Sequence, residues 1–196
     1  HILDILKGQP DIYTYVILTP QYGLFGDQVN KTKMIGKIEK DPNTGARIVN
    51  LLDRFVKPPG WTIRDVDVVL VDFQDTGVRY TTYMTTLTKI FEVASELHKP
   101  VIVLDRPNPI RGDRMDGPVV RTAYQSFEGY HLVPICDGLT IGEYALMVNE
   151  MGWVKELQRA ELTVIPMANW KRSMWADEVD LPFIPLAPGL VDVEAC

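Results

Sequence analysis

Hydrophobic residues gather in four short runs: YVILTP (15–20), VDVVLVD (66–72), PVIVLDRP (100–107) and AELTVIPM (160–167). Each is rich in Val, Ile and Leu and bounded by polar, Pro or Gly residues, the pattern of strands buried on both faces. Between the second and third lies TTYMTTLTKIFEVASELHK (81–99), where Leu87, Ile90, Phe91, Ala94 and Leu97 recur at helical spacing and predict a crossover helix. A second helix is predicted over TIGEYALMVNEMG (140–152), with Thr140 as N-cap, Glu143 as its capping-box partner and Gly152 at the stop. Strands alternating with helices imply βαβ units. The expected fold class is therefore α/β, a Rossmann-like, doubly wound and mainly parallel sheet with helices on both faces. No internal repeat or low-complexity linker breaks the pattern. The Pro/Gly-rich stretch from Pro107 to Pro118 is bracketed by core elements and reads as a long loop inside one domain.

The polar residues that punctuate this pattern concentrate where the strands end. In open α/β sheets that edge is where loops present ligand-binding groups on a rigid frame. After the first run come Gln21, Tyr22 and Gly23; after the second, Asp72, Gln74, Asp75, Gly77 and Arg79; after the third, Asp105, Arg106 and Asn108; before the second helix, Cys136, Asp137 and Gly138. Two readings stand for most of them. Asp72 and Asp75 suit turn or cap chemistry, in which a short carboxylate accepts from nearby backbone N–H groups, or they form a carboxylate cluster with Asp105. Arg79 and Arg106 fix loops as ion pairs, or hold carboxylates and an anionic substrate. A capping box accounts for Glu143 without catalysis.

Charge and composition narrow the choice of partner. The net charge is -6, from 20 Lys+Arg against 26 Asp+Glu, so no basic face suited to nucleic acid or an anionic membrane is implied. No apolar run approaches the length of a membrane span of about 20 residues, and the opening HILDILKGQP lacks the features of a signal peptide. The pattern opens and closes abruptly, so the chain is expected to be the interior of a longer protein. Cys136 and Cys196 are too few and too badly spaced for a disulfide framework or a zinc site. Of the histidines, His1 is terminal and His98 closes a helix, which leaves His131 near a loop and argues against histidine-led catalysis. The nucleophile elbow, the dinucleotide fingerprint and the Walker phosphate loop are absent, and no cofactor or metal is expected.

The stretches VDVVLVDFQDTGVRYTTY, VIVLDRPNPIRGDRMDGP and DGLTIGEYA, with LTPQYGLFGD ahead of them, resemble the exo-β-N-acetylmuramidase family of glycoside hydrolases, formerly a domain of unknown function. They occur in the family's order and span most of the chain. The resemblance implies a Rossmann-like domain joined to a smaller C-terminal domain over a substrate cleft. It also implies release of N-acetylmuramic acid from peptidoglycan fragments, and a periplasmic or secreted location. By the same resemblance, residues 1–196 are expected to form a single domain lacking the family's first strand and its C-terminal domain. Two positions depart from the family. Pro20-Gln21-Tyr22-Gly23 stands where the family reads Pro-Glu-His-Gly, replacing an acid by an amide, and Asp137 stands where the family has a histidine.

Glycoside hydrolysis commonly needs one carboxyl group to protonate the leaving oxygen and a second to attack or to activate water. On this reading Asp75, Asp105 and Glu143 are the expected catalytic residues. Gln21, Tyr22, Asp72, Gln74, Arg79, Arg106, Asn108 and Asp137 are expected to contact a peptidoglycan fragment or amino-sugar ligand. The alternative is a non-catalytic saccharide-binding relative in which Gln21 only hydrogen-bonds a sugar. A third reading, a phosphatase of the haloacid dehalogenase type, takes Asp72 as nucleophile with Asp113 and Asp116 downstream, but it needs a second Asp where position 74 is Gln.

Overall fold

The computed structural model describes residues 2–20, 23–24, 39–51 and 57–181. Strand β1 (Val16–Thr19) pairs in parallel with β3 (Arg47–Asn50), and β2 (Glu39–Lys40) joins the far side of β3 antiparallel. A second sheet, in the order β4-β5-β6, contains Val69–Val71, Val101–Leu104 and Leu162–Ile165, all parallel. A short helix α1 (Ile2–Lys7) precedes β1, α2 (Tyr83–Glu96) links β4 to β5, and α3 (Ile141–Glu150) links β5 to β6. This is the expected α/β class, consistent with a Rossmann-like arrangement. No described helix is long and apolar enough to cross a membrane.

The predicted helical stripe is what packs α2. Leu87, Ile90, Phe91 and Ala94 are buried with Val69, Val71, Val101 and Val103 of the sheet and Ile141, Ala145 and Val148 of α3. A fully buried side chain of the Phe91 or Leu87 kind contributes about 2–3 kcal/mol by its removal from water. The ends of α3 follow the predicted chemistry. Thr140 Oγ1 accepts from Glu143 N at 3.2 Å while Glu143 Oε2 accepts from Thr140 N at 3.0 Å, closing the capping box. At the other end Gly152, at φ 66°, lets Trp153 N donate to Val148 O (3.0 Å) and Gly152 N to Asn149 O (3.3 Å).

Burial corrects the expectation of strands covered on both faces. In β5 fully buried residues alternate with partly exposed ones, and in β6 partly exposed residues alternate with exposed ones. The reason is position: among the described residues β6 has its one strand neighbour in β5, and Thr163 and Ile165 face outward. The sequence reading also omits β3 and its antiparallel partner. RIVN carries only Ile48 and Val49 as apolar residues, too short a run to separate from a loop.

Candidate active site

Parallel pairing of Val71 with Val103 sets the ends of β4 and β5 side by side, so the loops that follow meet. Arg106 Nε donates to Asp72 Oδ1 at 2.6 Å across this junction. The Gln74 side-chain amide donates to the carbonyls of Asp75 (2.9 Å) and Pro107 (3.0 Å), stitching the same loops together. Asn108 is 3% exposed; it donates to Leu139 O at 2.9 Å and accepts from Ile110 N at 3.1 Å. Its Oδ1 also lies where a Cβ on Gly77 would fall, and Gly77 has φ +78°, so glycine is required there by both space and conformation. Arg79 Nη1 donates to Pro118 O (2.5 Å) and Val133 O (2.8 Å), closing the neck of the loop between them.

Backbone bridges then bring the turn at Asp137 against the end of β4. Cys136 pairs antiparallel with Val78 on one side and with Asp116 on the other. The two carboxyl groups carried by these segments differ in their support. Asp75 accepts from Thr81 Oγ1 at 2.7 Å and Gly77 N at 3.0 Å. Its residue retains some accessible surface, but the carboxyl is densely surrounded by protein, and burial raises its pKa against those bonds. Asp137 is 6% exposed and accepts from Leu139 N at 2.9 Å. Burial, aided by the charges of Asp75 and Glu143, raises it from 3.8 to about 7. Asp137 thus lies within electrostatic reach of both Asp75 and Glu143.

Asp105 has a different setting. Its Oδ1 accepts from Gly142 N (2.7 Å) and Arg106 N (3.0 Å), and its Oδ2 accepts from Thr140 Oγ1 (3.0 Å). A Cβ on Gly142 would lie 2.7 Å from the Asp105 carboxyl carbon, so the helix approaches the acid with no side chain between. A carboxylate at the N-terminus of α3 also faces the positive end of the helix dipole. Glu143 combines its capping role with a 2.5 Å contact from Arg172 Nη2. Gln21 and Tyr22 lie outside the described residues.

His131 is a core residue, 4% exposed, stacked on Trp153 and hydrogen-bonded to Thr88 and Tyr144 at 3.0 Å each. Among the described residues no group of three or more His, Cys, Asp or Glu side chains is placed to hold a metal ion. Sequence reasoning missed Thr81, Tyr144 and Arg172. Tyr144 feels the charges of Asp137 and Asp75, which add to burial in raising its pKa. Thr81 lies six residues beyond Asp75, in a stretch the pattern assigns to the helix start. Nothing in the sequence around Arg172 links it to Glu143, 29 residues earlier.

Residues 1–194 match the family described as exo-beta-N-acetylmuramidase NamZ, N-terminal. The chain is 36% identical over 193 residues to the peptidoglycan beta-N-acetylmuramidase NamZ of Bacillus subtilis (strain 168), covering 98% of this chain and 45% of that protein. Two crystal structures of DUF1343 family proteins from Bacteroides fragilis NCTC 9343 superpose closely. One has a TM-score of 0.87 at 34% identity, over 98% of this chain and 47% of that one. The other has a TM-score of 0.82 at 32% identity, over 100% and 49%. The chain therefore spans about half the length of the relatives it matches. On sequence and fold together, it belongs to the exo-beta-N-acetylmuramidase NamZ family, whose N-terminal region it represents.

Proposed function

We propose that this chain is the Rossmann-like half of a glycosidase that releases N-acetylmuramic acid from peptidoglycan fragments, and that Asp137 is its general acid. The observation that carries this reading is the pairing of two buried carboxyl groups with unequal support. A general acid works best with a pKa near the working pH, and Asp137 is raised to about 7. Asp75, which accepts from both Thr81 and Gly77, is the better-supported anion of the two. In the reaction Asp137 gives its proton to the glycosidic oxygen, while Asp75 supplies the negative charge that the cationic sugar ring or an attacking water requires.

In this proposal Asp105 and Glu143 organise the site by fixing the start of α3. Asp72, Gln74, Arg79, Arg106 and the buried Asn108 hold the strand-end loops in register, and the first four offer their outward faces to the sugar. The activity of the Bacillus subtilis relative on peptidoglycan supports both the substrate class and a location outside the cytoplasmic membrane. Asp72 bound to Arg106, and Asp113 bound to Arg111 at 2.7 Å, speak against the free nucleophile and acid that a phosphatase needs.

A binding-only reading is favoured by one residue, the amide of Gln21 at the position where the resemblance implies an acid. Incubating the full-length protein with a chromogenic N-acetylmuramide separates the two. Turnover that disappears in Asp137→Asn supports the enzyme, whereas saturable binding without release supports the saccharide-binding protein. Release that persists at the wild-type rate in Asp137→Asn removes Asp137 from the mechanism.

A further inference from the structure

Beyond β6 the chain turns back over the site through Trp170 and Arg172. The carbonyl of Arg172 accepts from Gly112 N at 2.7 Å, and Arg172 Nη1 donates to Gly112 O at 2.6 Å and to Gly138 O at 3.1 Å. Its Nη2 donates to Glu143 Oε1 at 2.5 Å. One guanidinium therefore ties together the loop after β5, the turn immediately after Asp137, and the first turn of α3. The approach depends on Gly112, where a Cβ would lie 2.6 Å from the Trp170 ring and 3.0 Å from Arg172 Nη1. Gly138, at φ +69°, has the Arg114 carbonyl 2.5 Å from where its Cβ would be, so the turn is closed on that side as well.

We propose that Arg172 is a positioning residue of this site, fixing the Asp137 turn to Glu143 and pairing the Glu143 carboxylate, one of the two charges that act on Asp137. The idea rests on the glycosidase reading for its purpose, but its geometry stands apart from turnover. The planar fork of arginine suits three acceptors on separate segments; a lysine ammonium retains the charge without that geometry. The groups that face Asp137 come from every neighbouring segment. Asp75 follows β4, Glu143 and Tyr144 lie on α3, and Arg172, which follows β6, joins this set through its contact with Glu143. Asp116, whose backbone is bridged to Cys136, has its Oδ1 engaged by Gly117 N at 2.7 Å. Arg172 is the cation that joins the residue after Asp137 to Glu143.

The test is carried out on the full-length protein labelled with carboxyl-carbon-13 aspartate, with Asp137→Asn used to assign the Asp137 signal. In Arg172→Gln the Asp137 titration midpoint is expected to rise by about half a pH unit, as befits loss of a partly exposed charge. In Arg172→Lys the midpoint is retained while the Leu139 amide, which donates to Asp137, exchanges with solvent faster. A folded Arg172→Gln protein with an unmoved midpoint overturns the electrostatic role. Wild-type protection of Leu139 in Arg172→Lys overturns the positioning role, and decides the matter if Arg172→Gln does not fold. Neither readout needs turnover, so absence of sugar release would count against the glycosidase and not against Arg172.

Discussion

Two polar groups lie buried on neighbouring parts of this fold, and they are treated in opposite ways. His131 is closed on all sides. The single hydroxyl hydrogen of Thr88 is committed to Met84 O at 3.1 Å, so Thr88 must accept from His131 Nε2–H, and Nδ1 then accepts from the Tyr144 hydroxyl. Burial, with the nearby charge of Lys89, lowers this imidazole from 6.5 to about 4, which keeps it neutral and inert. Asp137 is as deeply buried, but among the described residues Leu139 N is the one donor to its carboxyl, and two other acids lie within range. The difference teaches that burial alone does not make a group reactive. Complete partnering produces a structural histidine; incomplete partnering among like charges produces an acid poised near neutrality.

The largest effect expected from breaking this contrast is on rate. Asp137→Asn should lower kcat/KM for a chromogenic muramide by about 10²–10⁴-fold, the usual contribution of a general acid, whereas His131→Asn should leave the rate within a few-fold. Stability against pH provides the next test, because the two groups act with opposite signs. The raised pKa of Asp137 gives stability that is complete below about 3.8 and lost as pH rises through about 7. The lowered pKa of His131 gives stability that is complete above 6.5 and lost as pH falls through about 4. Relative to wild type, Asp137→Asn should therefore gain stability steadily from pH 4 to pH 7, on the order of a few kcal/mol in denaturant midpoints. His131→Asn should remove the acid-side loss, while leaving the Tyr144 hydroxyl without its acceptor costs about 1–3 kcal/mol at neutral pH.

Smaller effects sharpen the picture of the scaffold. Gly77→Ala places a methyl group against Asn108 at a positive φ and should cost about 2–3 kcal/mol by denaturant unfolding, with a loss of activity as the β4 and β5 loops part. Thr140→Ala removes both the cap of α3 and the hydroxyl that donates to Asp105, for about 1–2 kcal/mol.

What was legible in the sequence follows the range of the interaction. The four apolar runs and the Thr140–Glu143 cap are local patterns, and each has its counterpart in the fold. The arrival of Asp72, Gln74, Asp75, Asp105 and Asn108 at one sheet edge follows from the same alternation, because parallel strands end together. The partners of these residues were not legible. Asp105 meets Gly142 across 37 residues and Arg172 meets Glu143 across 29, separations that carry no periodic signal. The unequal support of Asp75 and Asp137 depends on Thr81 and on the bridge through Cys136, which arise only when the loops are folded against one another. His131 shows the same limit from the other side: its place beside a loop in the sequence concealed a stack on Trp153 inside the core.

The central claim is that Asp137 carries a proton near neutral pH while Asp75 beside it is the better-supported anion. Carbon-13 titration of the aspartate carboxyl groups in the full-length wild-type protein, assigned with Asp137→Asn and Asp75→Asn, measures this directly. The account predicts an Asp137 midpoint near 7 that falls when Asp75 is replaced by Asn. An Asp137 midpoint near 4, unmoved by that replacement, would contradict it.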